Sequence, residues 1–214
     1  MGFFIVRVLT DIGEIGVSTP EREYLFRPSL YAMSQLGTPA EIVKLFAFMF
    51  GGGNINPYFP EQSVRAHSRD MFRNALTVLT VCCDEDISPL AGCMGERWGS
   101  YRPGLMPMDD VIPLARSLLR HGIVGALPAE KSTAKAGDYT PEFSARDYVA
   151  MGMAHLGLSE SESWDMTMTS LTAAMRSKYP ANSKSTSGAP TESEHDATMS
   201  WLERVNAARA KGNK

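Results

Sequence analysis

The first apolar stretch of the chain has a strand-like pattern, and most of the remaining chain has a helical one. Residues 5–17, IVRVLTDIGEIGV, are rich in Ile and Val, STPE at 18–21 supplies a turn, and EYLFRP at 23–28 is a second extended run. β-branched and aromatic residues on either side of a Pro-bearing turn predict a small N-terminal β-hairpin or two short strands. Ser29 then caps LYAMSQL, which Gly37 closes. Thr38-Pro39-Ala40-Glu41 has a hydroxyl at the cap, Pro at the first helical position and Glu three residues on, so it opens a helix through AEIVKLFAFMF that ends at Gly51, Gly52 and Gly53. From Glu61 to Cys83, the residues Val64, Met71, Phe72, Ala75, Val78, Leu79 and Cys82 recur mostly three or four apart, which predicts a further helix.

Residues 84–106 carry a weaker pattern, read as one short helix around Leu90–Met94 followed by a loop. MDDVIPLARSLLRHG begins with Asp109 and Asp110 and ends with Arg120 and His121, a charge order that suits the helix dipole. Pro113 is assigned to its first turn. Small, polar and Pro/Gly-bearing residues at 125–142 predict a loop or linker. Ser144 caps ARDYVAMGMAHL, where Ala145, Tyr148, Val149, Gly152 and Leu156 share one helical face. After the turn GLSESESW, Leu171, Met175 and Tyr179 line another face until Pro180. Residues 181–194 are poor in apolar side chains and are expected to be disordered, and DATMSWLERVNAARA is expected to form a last exposed helix with the basic end RAKGNK.

The expected fold is therefore mainly α. A helical bundle over 1–180 carries the N-terminal hairpin, and 181–214 adds a polar linker and a short exposed helix as a disordered, basic-ended tail. The core is expected to include Leu30, Met33, Ile42, Phe46, Phe72, Leu79, Leu118, Val149, Leu156, Trp164 and Leu171.

Composition adds little direction. Of 214 residues, 43% are hydrophobic, enough for a core, and the net charge of −3 gives no global pull toward nucleic acid or an anionic membrane. Cys82, Cys83 and Cys93 are odd in number and two are adjacent, so they are expected to be reduced, buried thiols of a cytoplasmic protein. The apolar run near the start is only four residues long, too short for a signal peptide or a membrane span.

No catalytic signature emerges. His67, His121, His155 and His195 have no two-ligand helical spacing and no C-x-x-C frame. GGGNIN at 51–56 follows a helix and lacks the Lys-Ser/Thr of a phosphate loop, and DEDIS at 84–88 reads as a helix cap because no further oxygen ligands follow at calcium-loop spacing. The expectation is a non-enzyme with no catalytic, cofactor-binding or metal residues and no cofactor. ARDYVAMGMAHLGLSESESW has the helix–Gly turn–helix look of a helix-turn-helix. Its second helix would present Glu160, Glu162 and Asp165 to phosphates, and Arg146 is the only Lys or Arg between 144 and 170. No specific nucleic acid and no membrane is therefore expected as a partner, with helix-turn-helix-like DNA binding, or another adaptor role, kept as the alternative.

Methionine points elsewhere. There are 13, and Met suits adaptable interfaces as well as cores. The helix from Ile42 to Phe50 is apolar almost all round, which marks it as either fully buried or part of an interface. The candidate partner-binding residues are Ile42, Leu45, Phe46, Met49, Met151, Met153, Trp164, Met166, Met168 and Met175.

Two stretches, IGE at 12–14 with YLFRPSLYAMSQLGTPAEIVKLF at 24–46, and LGLSESESWDMTMTSLTAAMRSKYP at 156–180, resemble the tail assembly chaperones of tailed bacteriophages. They cover about a quarter of the chain. The resemblance implies a protein of the infected host cytoplasm, absent from the mature virion, that binds the tape-measure protein during tail morphogenesis. It implies recruitment of tail-tube subunits, through a longer frameshifted form, and allows self-association. This chain would match the shorter form, although the helix after the polar linker has no place in the family pattern.

Overall fold

A computed structural model describes residues 8–51, 61–95, 101–127 and 142–180. The chain divides into two compact units, Met1–Ser177 and Lys178–Lys214. In the second, the described residues are 178–180, where the Lys178 ammonium lies 5.9 Å from the centre of the Tyr179 ring. The expected disorder at 181–194 and the expected final helix lie outside the described residues.

The first unit is mainly α. Strands β1 (Ile15–Ser18) and β2 (Glu23–Phe26) pair antiparallel, with Ile15 opposite Phe26 and Ser18 opposite Glu23. The turn is held by Thr19, whose N–H and hydroxyl both donate to the Arg22 carbonyl at 2.8 Å. Tyr24 and Phe26 alternate inward and are buried. The first strand is shorter than its Ile/Val pattern predicts. Thr10–Ile12 form a 3-10 turn, and Gly13 at φ +93° redirects the chain before β1 starts.

Helices α1 (Leu30–Ser34), α2 (Pro39–Gly51), α3 (Glu61–Val81), α4 (Ser88–Ala91), α5 (Met108–Leu119), α6 (Ala145–Met151), α7 (Glu160–Asp165) and α8 (Met168–Lys178) come next along the chain. α5 and α6 each continue into five residues of π-helix, Arg120–Val124 and Gly152–Leu156. The core sits where α3 lies along α5, with α2 against both. α5 buries Val111, Ala115, Leu118 and Leu119, the i, i+4, i+7, i+8 stripe of an amphipathic helix. α3 answers with Phe72, Ala75, Val78 and Leu79, and Cys82 just beyond its end joins them. Arg116 ties α5 to α2 by donating from Nε to the Met49 carbonyl at 2.7 Å.

The structure departs from the sequence pattern in several places. Pro113 is in the second turn of α5, since the helix starts at Met108. The segment 84–106 holds α4 and then a two-residue ribbon, β3 (Cys93–Met94) against β4 (Tyr101–Arg102), where only helix and loop were expected. Gly92, at φ +81°, ends α4, and the Tyr101 hydroxyl donates to the Ala91 carbonyl at 2.8 Å. Phe46, Leu156 and Trp164 are half-buried. α2 has more apolar surface than one core can cover, and Val43, Leu45, Phe46, Phe48 and Phe50 pack only partly against it. Cys93 is half-buried, and all three cysteines are free thiols. Tyr179 is exposed.

Candidate functional site

The turn between α6 and α8 is built residue by residue from its sequence. Gly157 takes φ +71°, and its N–H returns to the Met153 carbonyl at 3.2 Å, closing the preceding helix. Ser159 and Glu162 form a reciprocal capping box. Glu162 N–H donates to Ser159 Oγ at 3.2 Å, and Glu162 Oε2 accepts from Ser159 N–H at 2.9 Å and from its hydroxyl at 2.7 Å. The hydroxyl and then the N–H of Ser159 hold the Glu162 carboxyl below its ordinary range.

α7 then ends in an extended Met166 whose carbonyl accepts from Leu30 N–H at 2.8 Å. Thr167 bridges to Ser29, and its hydroxyl accepts from Ser170 N–H at 3.1 Å to start α8. The Trp-x-Met-Thr run is thus a structural latch that fastens α7 and α8 onto the start of α1. It brings the two sequence stretches 24–46 and 156–180 into direct contact.

Beside this latch, Tyr31 and Gln35 on one side and Glu160, Trp164 and Asp165 on the other line an open groove of about 680 Å³. Tyr31 is 58% exposed and meets the half-buried Trp164 edge-on, with ring centroids 6.2 Å apart. Trp164 Nε1–H donates to Glu160 Oε1 at 3.4 Å, and Arg146 pairs with the same oxygen at 3.3 Å. Met151 and Met153, 37% and 42% exposed, come from α6 and its π-helical extension, which pack on α7.

The structure divides the candidate partner-binding residues into three groups. Ile42, Met49 and Met168 are core residues and present nothing to a partner, because the helical period of α2 and α8 turns them inward. Leu45, Phe46, Trp164, Met166 and Met175 are half-buried, and Met151 and Met153 are open to solvent. Tyr31 is a groove residue outside the set that the sequence singles out. The signal for it is present, since it falls off the period that buries Leu30 and Met33 on the same short helix.

Elsewhere, His121 and Thr169 make a polar cluster. Thr169 Oγ1 accepts from Ala126 N–H at 3.0 Å, lies 3.0 Å from His121 Nδ1 and 3.3 Å from the His121 carbonyl. Desolvation, and then the charge of Arg120, lower the His121 pKa. Burial, with Cys83 alongside, pushes the Cys82 thiol far up, so this sulfur is a packing atom and a poor nucleophile. Among the described residues no group of three or more His, Cys, Asp or Glu is disposed to hold a metal ion, and no helix is long and apolar enough to cross a membrane.

The architecture is that of a mainly helical protein with an antiparallel ribbon at its N-terminal side, and α1 and α7 form an open aromatic groove on its surface. Residues 26–197 match a family of unknown function, DUF6246, and the chain belongs to that family. No curated protein and no solved structure matches it.

Proposed function

We propose that this chain is a non-enzymatic binding protein that acts as a phage tail assembly chaperone. It would hold apolar helical segments of a tape-measure protein in the host cytoplasm and help recruit tail-tube subunits. The observation that carries the reading is the set of exposed and half-buried apolar side chains on mutually packed helices. Tyr31 from α1 and Trp164 from α7 line one groove, and Met151 and Met153 are exposed on α6 and its extension, which pack on α7. Aromatic anchors beside adaptable Met side chains suit a client of varied sequence. Of these elements, α1 and α7 lie within the two stretches that resemble the chaperone family.

Helix-turn-helix-like DNA binding has less support. Glu160, Glu162 and Asp165 are all exposed on α7, and Arg146 is committed to Glu160.

Co-expression with the tape-measure protein tests the proposal. The expected product is a soluble complex with several copies of this chain per client. A tape-measure protein that is equally soluble without this chain, or that never co-purifies with it, would overturn the assignment.

A further inference from the structure

We infer that the Tyr31–Trp164 groove takes an arginine side chain presented by an apolar helical segment of the partner. This rests on the chaperone reading for the identity of the partner, and on the groove itself for the chemistry.

The lining is asymmetric. α1, with the sequence LYAMS, brings no charge and one exposed aromatic ring. α7, with the sequence ESESWD, brings three acids and no base. These acids have different employment. Glu162 is occupied by the capping box, and Glu160 is shared by Arg146 and the Trp164 indole. The Asp165 carboxylate, exposed at the groove, has no ion pair or side-chain hydrogen bond among the described residues. The groove therefore offers one uncommitted carboxylate next to aromatic rings, with no cation among the described residues that line it.

A cation flanked by apolar groups complements that set. Arginine fits better than lysine. Its planar guanidinium stacks on an aromatic face and still presents a fork of N–H donors to a carboxylate, whereas an ammonium is a point charge that holds its water more strongly.

The test uses the full chain and a defined probe. An amphipathic helical peptide of Leu, Ala and Gln carries one Arg at the edge of its apolar face, with matched peptides bearing Lys or Gln there. Binding is read from the indole N–H resonance of Trp164, assigned by its loss in Trp164→Phe. The Arg peptide is expected to shift that resonance and to bind about fivefold more tightly than the Gln peptide, the ceiling for an exposed ion pair. Asp165→Asn should abolish the difference, and so should high salt. Equal binding of the Arg and Gln peptides, an Arg preference that survives Asp165→Asn, or no shift with any peptide would each overturn the inference. Co-purification with the tape-measure protein separates the two proposals. If wild type and Asp165→Asn both hold the client equally, the arginine site fails and the chaperone reading stands. If wild type holds no client yet selects the Arg peptide, the site stands and the chaperone reading fails.

Discussion

The Tyr31 ring stands perpendicular to the Trp164 indole, at an interplanar angle of 89°. The contact joins two helices far apart in sequence and leaves most of the tyrosine in water. Tyr31→Ala should therefore separate binding from folding. Loss of one edge-to-face contact at the surface costs about 1 kcal/mol of stability. Loss of an aromatic anchor at an interface costs about 2 kcal/mol or more of binding. Client retention in pull-down should collapse while the urea midpoint moves slightly, and retained client binding would remove Tyr31 from the interface.

The Ser159–Glu162 capping box sets the start of α7, and with it the position of Trp164. Ser159→Ala removes the acceptor for the Glu162 N–H and should cost about 1 kcal/mol. Because the Trp164 indole N–H resonance reports the groove directly, its shift or broadening in this variant checks that the cap and the groove are connected. An unperturbed resonance would show that α7 is positioned by its latch to α1 alone.

Much of this architecture is legible in the sequence, because capping chemistry is local. Ser29 and Ser144 each accept the N–H bond expected of them, and Glu41 reaches back to Thr38 N–H at 2.8 Å. Helical periodicity also marks Leu30, Met33, Leu79, Leu118, Val149 and Leu171 as interior, and all six are buried. Long-range choices are not legible. α2 is apolar on nearly every side, so its pattern does not say which residues the core will cover. The β3–β4 ribbon is only two residues per strand, too short to show alternation. Tyr31 and Trp164 lie more than a hundred residues apart, and no periodicity links them. The Ser29–Thr167 bridge and the Leu30–Met166 hydrogen bond bring them together.

Glu14 is a buried carboxylate that the apolar pattern around it conceals. Its side chain is 2% exposed, accepts from Arg27 Nε at 2.6 Å and from Leu9 N–H at 2.9 Å, and so ties the segment before β1 to the end of β2. Arg27→Ala would strand this charge. Since Arg27 is itself half-exposed, the expected cost is about 2 kcal/mol, below that of a fully buried broken pair. Arg27→Ala/Glu14→Gln should recover part of it, because the amide oxygen can still accept from Leu9 without a charge. Chemical denaturation of the single and double variants checks this, and a double variant no more stable than Arg27→Ala would assign the loss to packing of the arginine stem.

Gly13 and His121 meet so closely that a methyl group on the glycine would come within 2.3 Å of the imidazole side chain. Gly13 also sits at φ +93°, where a side chain is strained whatever the space. Gly13→Ala should thus destabilise by about 2–4 kcal/mol, combining backbone strain with overpacking. Gly13→Ala/His121→Ala should relieve only the share of the clash due to the imidazole ring, because the His121 Cβ, which alanine keeps, also lies within 2.3 Å, so the double variant should recover part of the loss and the two changes should be non-additive. The same histidine gives a pH signature. Desolvation, and secondarily Arg120, lower its folded pKa below the ordinary 6.5. As pH falls below that value the unfolded chain takes up the proton first, so the stability linked to neutral His121 is complete above about 6.5 and is lost as pH drops through the lowered folded value. Glu41, Asp86 and Glu162 have lowered pKa values too, through hydrogen bonds from Thr38, Ser88 and Ser159, and their contribution is lost only in the more acid range below the ordinary 4.5 of Glu and 3.8 of Asp. A stability profile against pH should therefore fall in two stages, and His121→Gln should remove the first while leaving the second. A single acid transition, unchanged in His121→Gln, would show that the imidazole is not linked to folding.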